Sequence, residues 1–278
     1  GAAIWSTPVD KMLDYPLTSF LNFCDNHGLL QISGRPEWRT VVGGSKEYIK
    51  CLVKNYQHKI QTNRAVKQVW SDTDGAYVED CNDNIFKFDH VIMASHADQA
   101  LNMLKSPNTN ELELLGAFSY QTNKAILHTD KSLMPNNKRA WSSWNYLRAQ
   151  ADGKDSVCVT YWMNKLQNLN SNTNYFVTLN PPKKPNEGSI LRSFIYQHPV
   201  FDYRAMTAQK KLWGLQGKRR LWFCGSYFGH GFHEDALQSG LAVAEELGGG
   251  KRPWSVKNQN GRIHLPKKWP NHNIEKVA

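Results

Sequence analysis

The chain has 278 residues, of which 40% are hydrophobic and 12% aromatic, and its 34 Lys and Arg against 24 Asp and Glu give a formal net charge of +10. This length and composition are typical of a globular protein of one or two domains and exclude a disordered chain. The sequence contains no apolar run near the ~20 residues of a membrane-spanning helix, and no N-terminal signal pattern is visible.

The five cysteines are odd in number, scattered along the chain, and contain no Cys-x-x-Cys pair. This usage predicts buried free thiols in a reducing compartment, and the cytoplasm is the expected location. The residues concerned are Cys24, Cys51, Cys81, Cys158 and Cys224.

Two helices are predicted near the start of the chain. The first covers residues 10–25, is capped near Asp10 and is stopped at a glycine, Gly28. The second covers residues 44–56, with Ser45 as its N-cap, and carries apolar residues at helical spacing. The residues expected on its inward face are Tyr48, Ile49, Leu52 and Val53.

A β-meander and two short helices follow. Residues 59–94 alternate between apolar and polar in strand fashion, around turns at 72–75 and 81–84. Short helices are predicted over residues 96–104 and 110–118.

From about residue 121 the chain changes to aromatic-rich strand runs separated by loops, which predict an antiparallel sheet. A helix at 203–215 then returns to a short apolar strand at 221–224. The four predicted sheet strands cover residues 124–128, 157–163, 175–180 and 189–197.

The most informative segment is this last strand, the Gly-rich turn after it, and the apolar-periodic helix up to Leu247. Glycines allow backbone N–H groups to approach a ligand, and the start of a helix favours an anionic or electron-rich group such as a phosphate or the pyrimidine edge of a flavin. The residues alone leave a second interpretation open, a turn packed only for structural reasons. Gly229 to Glu234 is a dinucleotide fingerprint whose third glycine is replaced by Glu234.

Three motifs resemble the flavin-containing amine oxidase superfamily. Residues 231–240 are similar to its C-terminal flavin-binding motif, G-Y-x-E-G-A-x-x-S/A-G, and residues 40–53 resemble its G-G-x-x-x-L helix. Residues 59–94 resemble the strand set beside the adenine end of the cofactor, which ends in D-x-V-I-x-A. Further matches, to a bacterial-type subgroup of NAD/FAD-binding amine-oxidase-like proteins, lie at residues 3–8, 26–30, 140–146 and 225–231.

The resemblance implies a mixed α/β (α+β) fold with FAD as the cofactor. Family members begin with a strand–GxGxxG–helix unit that holds the FAD pyrophosphate, and the first hundred residues of this chain contain no such unit. We therefore expect an incomplete FAD-binding domain that lacks its N-terminal βαβ unit, beside a substrate domain with a mixed or antiparallel sheet and helices. The missing N-terminal FAD-binding segment would complete the site.

The same resemblance implies a division of the chain into four parts. The helical part of the substrate domain, the flavin-facing domain and the substrate-domain sheet are expected to precede a basic tail. These parts are residues 1–38, residues 39–106 with 218–250, residues 107–217, and residues 251–278.

The implied cofactor-binding residues lie in the two glycine motifs and the first strand. The backbone N–H groups of Phe232, His233 and Glu234 are expected near the N1–C2=O edge of the flavin, which becomes negative on reduction. Phe232 also takes the place of one ring of the aromatic pair that amine oxidases set beside the flavin. The full set is Gly43, Gly44, Val66, Gly225, Ser226, Gly231, Phe232, His233 and Glu234.

Lys124 falls near the position where many amine oxidases place a lysine that holds a water at flavin N5, and it is the implied catalytic residue. A solvent-exposed lysine at a strand edge is the alternative. Aromatic residues could complete a substrate pocket, although core packing is an alternative role for each. They are Trp141, Trp144, Tyr161, Tyr196 and Tyr227.

The implied function is that of the C-terminal part of an FAD-dependent oxidoreductase, which takes a hydride from an amine or a lipid-like substrate to the flavin. The apolar ring of Phe232 favours the lipid-like substrate, and this part alone is expected to be inactive. Two alternatives stay open: a non-enzymatic binding module for an acidic partner or nucleic acid, and a metal-dependent hydrolase that uses His230 and His233. No metal is expected, because a flavin accounts for the glycines as well as the histidines.

The tail beyond residue 250 carries seven basic side chains against one acid, Glu275, and is expected to be extended and loosely ordered. Such a tail can make a peripheral contact with anionic lipid. A solvated tail that aids solubility is the alternative, and nucleic acid is not an expected partner.

Overall fold

The computed structural model describes residues 1, 12, 13, 15–151 and 154–270, without the side chains of residues 148–151 and 154–157. The chain divides into two compact units. The first consists of Gly1–Ile60 with Gln121–His198, and the second of Gln61–Tyr120 with Pro199–Ala278. The four-part division expected from the sequence stays a prediction.

The seven α-helices among these residues are α1 (Leu17–Asn26), α2 (Lys46–Val53), α3 (Ala97–Met103), α4 (Thr109–Leu115), α5 (Met163–Leu166), α6 (Tyr203–Leu212) and α7 (His233–Glu246). The strands are β1 (Val66–Ser71), β2 (Ala76–Asp80), β3 (Ile85–Phe88), β4 (Val91–Met93), β5 (Ser119–His128), β6 (Trp144–Ala151), β7 (Lys154–Trp162), β8 (Phe176–Leu179), β9 (Ile190–Val200) and β10 (Leu221–Phe223). The predicted mixed α/β fold with antiparallel sheets and helices is confirmed.

The predicted meander is confirmed for its first three strands, which form an antiparallel sheet in the order β1-β2-β3. An aspartate organises each turn of this sheet. Asp72 Oδ1 accepts the N–H groups of Asp74 and Gly75, and Asp80 Oδ1 accepts that of Asn84. Side-chain acceptors of this kind mimic a backbone turn, which is why Asp is favoured at such positions.

The fourth strand does not continue the meander, which corrects the prediction for the end of residues 59–94. Strand β4 instead pairs in parallel with β10, with Ile92 opposite Trp222. The β10 side chains are buried, and the Gln216 side chain closes the outer edge of β10. Gln216 Oε1 accepts the Phe223 N–H at 2.8 Å, and its Nε2 donates to the Phe223 carbonyl at 2.6 Å.

The aromatic-rich strands form the predicted antiparallel sheet, in the order β6-β7-β8-β5-β9. Strand β6 was missing from the sequence prediction. A buried polar line crosses one face of the sheet, where His128 Nε2 lies 2.7 Å from Thr178 Oγ1 and that hydroxyl lies 2.9 Å from Thr160 Oγ1. Because each buried polar atom has a partner, this line is compatible with a packed interior.

Helix α2 lies within the predicted residues and follows Ser45, but its expected inward face was wrong. None of its residues is buried, and Leu52 is 64% exposed. Helical periodicity shows that a helix has an apolar face, and it cannot say which element covers that face. The predicted cap at Asp10 lies outside the described residues.

The tail is also more ordered than expected. Arg252 and Glu245 form an ion pair of 2.7 Å whose two side chains are 4% and 9% exposed, and Ile263 is buried. Residues 251–270 contain no regular helix or strand, but these contacts fix part of them against α7. The expectation of a loosely ordered segment was therefore wrong for residues 252–263.

All five cysteines are free thiols. Cys24, Cys158 and Cys224 are buried as predicted, whereas Cys51 and Cys81 are exposed. Burial raises the pKa of both Cys158 and Cys224 to about 11, so these two thiols are unreactive at neutral pH. No helix in the described part of the chain has the length and hydropathy to span a bilayer.

Candidate functional site

The turn between β10 and α7 is shaped by close packing against glycines. Gly231 has a φ of +91°, and a Cβ there would lie 2.8 Å from the Phe201 ring. A Cβ on Gly229 would lie 2.5 Å from the carboxylate of Asp235. These two positions therefore require glycine because the protein's own side chains occupy the space.

Buried side chains from two helices hold the turn in place. From α7, Ser239 Oγ accepts the N–H of Gly225 at 3.0 Å. From α6, the buried Gln209 amide donates to the carbonyls of Tyr227 and Gly229. The shape of the turn is consequently fixed by the protein itself.

Asp235 is the most constrained residue of this region. It is fully buried, its Oδ2 accepts the Phe232 N–H at 2.8 Å, and its Oδ1 lies 2.8 Å from Arg262 Nε. Asp235 stands where the resembling motif has a glycine. A carboxylate in the first turn of a helix is stabilised by the helix dipole.

Two backbone donors remain at the start of α7. The N–H groups of His233 and Glu234 have no acceptor among the described residues, and both side chains are exposed. The N–H of Phe232 is used by Asp235, so two of the three donors predicted for a flavin edge are available. Unpaired N–H groups at the positive end of a fourteen-residue helix suit an anionic or electron-rich group.

Burial disfavours the charged forms of two ionisable groups at this turn, His230 and Tyr227. Burial lowers the pKa of His230, and the nearby Asp235 opposes this while Arg262 and His264 reinforce it. Burial also raises the pKa of the Tyr227 phenol, whose oxygen has no hydrogen-bond partner within the described structure. Tyr227 packs against Phe118 and Phe228 in the interior of its unit, and its role in a substrate pocket stays a prediction.

The other predicted cofactor residues fall into the two units. Gly43 and Gly44 precede α2 in the first unit, with φ of +82° and +86°, and the space beside Gly44 is open to at least 4 Å. Val66 is the first residue of β1 and lies in the second unit, which also contains the glycine turn. It lines a cavity of about 620 Å³. Ser226 begins the single helical turn Ser226–Phe228.

Lys124 has an exposed side chain on β5, and its N–H donates to Asn180 Oδ1 at 2.9 Å. Its neighbour Asn123 is fully buried, accepts from Asn180 Nδ2 at 2.7 Å and lies 3.2 Å from His198 Nδ1. Strand alternation separates the two residues onto opposite faces of the sheet. The exposure of Lys124 is compatible with a solvent lysine, and its role at flavin N5 stays a prediction.

The predicted pocket aromatics are not gathered in one place. Trp141 is in the core, where its Nε1 donates to the Pro135 carbonyl at 2.8 Å. Trp144 is 43% exposed and meets Tyr161 edge-on at 5.5 Å, whereas Tyr196 is 48% exposed. Because β6 and β9 are the two edge strands of the sheet, Trp144 and Tyr196 lie at opposite sides of it.

Within the described residues, potential metal ligands are not clustered either. No group of three or more His, Cys, Asp or Glu side chains lies close enough to hold a metal ion in the ranges that the structure covers. His230 is partly buried and His233 is exposed, so the two rings of this pair face different surroundings.

Similar folds occur in solved enzyme structures. The reduced form of UDP-galactopyranose mutase matches with a TM-score of 0.51 at 13% identity, over 78% of this chain and 55% of that one. A putrescine oxidase redesigned in its cofactor binding matches with a TM-score of 0.51 at 11% identity, over 74% of this chain and 53% of that one. At such identities the likeness concerns the fold, and the chain spans about half the length of these solved structures.

The chain belongs to the flavin-containing amine oxidoreductase family, whose model matches residues 17–248. The family resemblance drawn from the sequence motifs is thereby confirmed. No curated protein matches the chain. The groups at the start of α7 fit a flavin edge, since two adjacent N–H donors are unpaired beside the partly buried Phe232.

Three residues important to this site were missed by the sequence prediction. Asp235 could have been noticed, because it departs from the glycine of the quoted motif. Gln209 and Arg262 gave no signal, since each lies far along the chain from the turn that it contacts.

Proposed function

We propose that this chain is part of an FAD-dependent oxidoreductase in which the start of α7 holds the N1–C2=O edge of the flavin. The observation that carries the proposal is the pair of N–H donors at His233 and Glu234 for which no described residue is an acceptor. A bound flavin supplies the redox chemistry by accepting a hydride from a substrate C–H bond. The part of the protein is to orient the cofactor and to stabilise the negative charge of its reduced form.

Each group of the glycine turn has a definite task in this proposal. The N–H groups of His233 and Glu234 donate to the electron-rich edge, and the Phe232 ring forms an apolar wall beside it. Gln209 and Ser239 keep the backbone in the conformation that presents these donors. Preorganised donors of this kind need no reorganisation when the charge develops.

The remaining cofactor contacts are assigned to backbone with little side-chain cover. We place Gly43 and Gly44 at the cofactor because the backbone beside Gly44 is open. Val66 is assigned to it as the first residue of β1. On β5, Lys124 is assigned to hold a water near flavin N5. Its neighbour Asn123 is not assigned this role, because hydrogen bonds fix it inside the sheet.

The substrate in this proposal is a small apolar or lipid-like molecule, or an amine with an apolar chain. The apolar character of Phe232 supports this choice, because a hydrocarbon wall gives a polar headgroup no partner. The exposed Trp144 ring, which meets Tyr161 edge-on, offers further apolar surface to such a molecule.

The proposed function also includes a further polypeptide segment that completes the site. The Cys224 N–H donates to the Met93 carbonyl, so the backbone groups of Met93 face β10. Successive residues of a strand point their N–H and C=O groups to opposite edges, and those of Ile92 therefore point away from β10. These two groups have no partner among the described residues, and they border the apolar 620 Å³ cavity. We propose that the N-terminal FAD-binding segment predicted from the sequence adds a parallel strand at this edge.

The donor role of the α7 start is tested with a proline substitution. His233→Pro removes one N–H at the first position of the helix, where proline is tolerated, and Phe232 already has the extended conformation that proline requires before it. His233→Ala removes the imidazole but keeps the N–H, so it is the matched control. In the complete protein we expect the proline variant to bind flavin roughly tenfold more weakly, as followed by flavin absorbance and fluorescence.

The alanine variant should bind flavin like the parent protein. Equal flavin affinity in both variants would contradict the donor role of this backbone. A complete protein that is colourless and does not take up added FAD would contradict the proposed function itself.

A further inference from the structure

Two buried Arg–carboxylate pairs connect the segment after α7 back to that helix. Arg252 pairs with Glu245 in the last turn, at 2.7 Å. Arg262 pairs with Asp235 in the first turn, at 2.8 Å, with the arginine side chain 19% exposed. Both pairs join an arginine to a buried carboxylate. Arg252 also hydrogen-bonds Glu245, whereas Arg262 and Asp235 form an ion pair without a hydrogen bond, and only this second pair lies next to the N–H donors of His233 and Glu234.

Asp235 creates an electrostatic problem for the proposed site. Its fully buried carboxylate takes the N–H of Phe232, immediately before the donors of His233 and Glu234. A negative charge in this first turn opposes the negative charge that a reduced flavin develops. An opposite charge close to Asp235 is therefore required if the helix start is to favour the reduced cofactor.

Arg262 is the group that supplies this charge. The histidines near the turn do not pair with Asp235. Burial lowers the pKa of His230, burial and the nearby Lys210 lower that of His264, and the His233 side chain is exposed to solvent. The Glu234 carboxylate is turned along the helix, where it accepts from Gln238 Nε2 at 2.9 Å. An arginine side chain stays charged at every physiological pH.

We propose that Arg262 is a positioning residue of the cofactor site, which acts through Asp235 to set the redox potential of the bound flavin. By neutralising Asp235 it leaves the dipole of α7 and the two free N–H groups as the net electrostatic influence on the cofactor. The segment 252–262 would then be part of the functional domain. This inference rests on the proposed function.

The test is a set of variants of the complete flavoprotein, measured by spectroscopic redox titration. Arg262→Gln leaves the Asp235 charge uncompensated, so the reduced flavin should be disfavoured by about tenfold relative to the oxidised form. For a two-electron couple this corresponds to a redox potential about 30 mV lower. Asp235→Asn should shift the potential in the opposite direction. The double variant should lie near the parent protein, since both charges are removed.

Arg252→Gln is the control, because it breaks a buried arginine–carboxylate pair at the other end of α7. It should lower the melting temperature and leave the potential unchanged. A purely structural role of Arg262 predicts the same behaviour for Arg262→Gln. Equal potentials in the two glutamine variants, with flavin bound in both, would overturn this inference and leave the proposed function intact.

Two further outcomes are decisive. If the parent protein binds no flavin, the proposed function fails and the inference fails with it. If Arg262→Gln does not fold, Arg262→Lys and Asp235→Asn decide: the lysine variant keeps the charge and should retain the parent potential, and an unchanged potential in the asparagine variant would refute the inference.

Discussion

At the scale of single residues, the glycine turn shows that a ligand-binding pattern and a packing pattern can use the same glycines. Gly229 and Gly231 are needed by Asp235 and Phe201, whereas the proposed ligand contacts come from the N–H groups of His233 and Glu234. The two interpretations of the turn left open by the sequence are therefore compatible. The packing holds the backbone, and the backbone presents the donors.

Gly231→Ala should destabilise the protein, because the new methyl group meets the Phe201 ring and the residue has a positive φ. The expected loss in the free energy of unfolding is about 1–3 kcal/mol. Chemical denaturation of this chain measures it. Gly240→Ala is the matched control in α7, where nothing lies within 4 Å of the added methyl group.

The control should be neutral or stabilising by up to about 1 kcal/mol, since alanine is the better helix former. A Gly231→Ala variant as stable as the parent would show that the turn can relax. The turn would then lack the rigidity on which the arrangement of the N–H donors depends.

At the scale of elements, the two strands of the β4–β10 pair have different outer edges. The Gln216 side chain bonds both backbone groups of Phe223, and the Gly217 N–H donates to the Leu221 carbonyl at 3.0 Å. Edge strands that are covered in this way cannot pair with another strand. The edge at Ile92 has no such cover among the described residues.

Replacing the edge cover should cost stability. In Gln216→Leu the two hydrogen bonds to Phe223 are lost, and its buried N–H and C=O remain unpaired. We expect a loss of about 1–3 kcal/mol in the free energy of unfolding. Gln216→Glu keeps an acceptor for the Phe223 N–H, and at low pH its protonated carboxyl group can also donate to the Phe223 carbonyl. At low pH it should therefore lose less stability than Gln216→Leu. Equal losses in the two variants would argue against the edge bonds.

At the scale of the whole molecule, the segment proposed to complete the site should protect the β4 edge. In the present chain we expect the Ile92 N–H to exchange rapidly with deuterium, because it has no acceptor in the part of the chain that the structure describes. In the complete protein the same amide should be protected. Cys224, whose N–H donates to the Met93 carbonyl at 3.2 Å, should exchange slowly in both forms and is the control.

Rapid exchange of Ile92 in the complete protein would contradict strand addition at this edge.

The peripheral membrane contact proposed for the tail belongs to the same scale. Arg252 and Arg262 are committed to ion pairs, which leaves exposed lysines such as Lys267 and Lys268 for an anionic surface.

The sequence predicted those features whose causes are local. The Asp72 and Asp80 turns, the strand–turn–helix order around Gly225 and the ends of α7 follow from side-chain hydrogen bonds and periodicity within a few residues. The motif spacing was sufficient to predict the family. Strand β6 was missed because its pairing with β7 defines it more than its own residues do.

The sequence by itself determined the family, the mixed α/β fold and the glycine-lined start of a helix, because each is set by residues close together in the chain. Only the tertiary structure decided that β4 leaves the meander for β10, that the α2 face stays exposed, and that Arg262 lies beside Asp235. These features depend on which distant segments meet, and the partner of a buried charge or an open strand edge is set by packing, which local pattern does not encode.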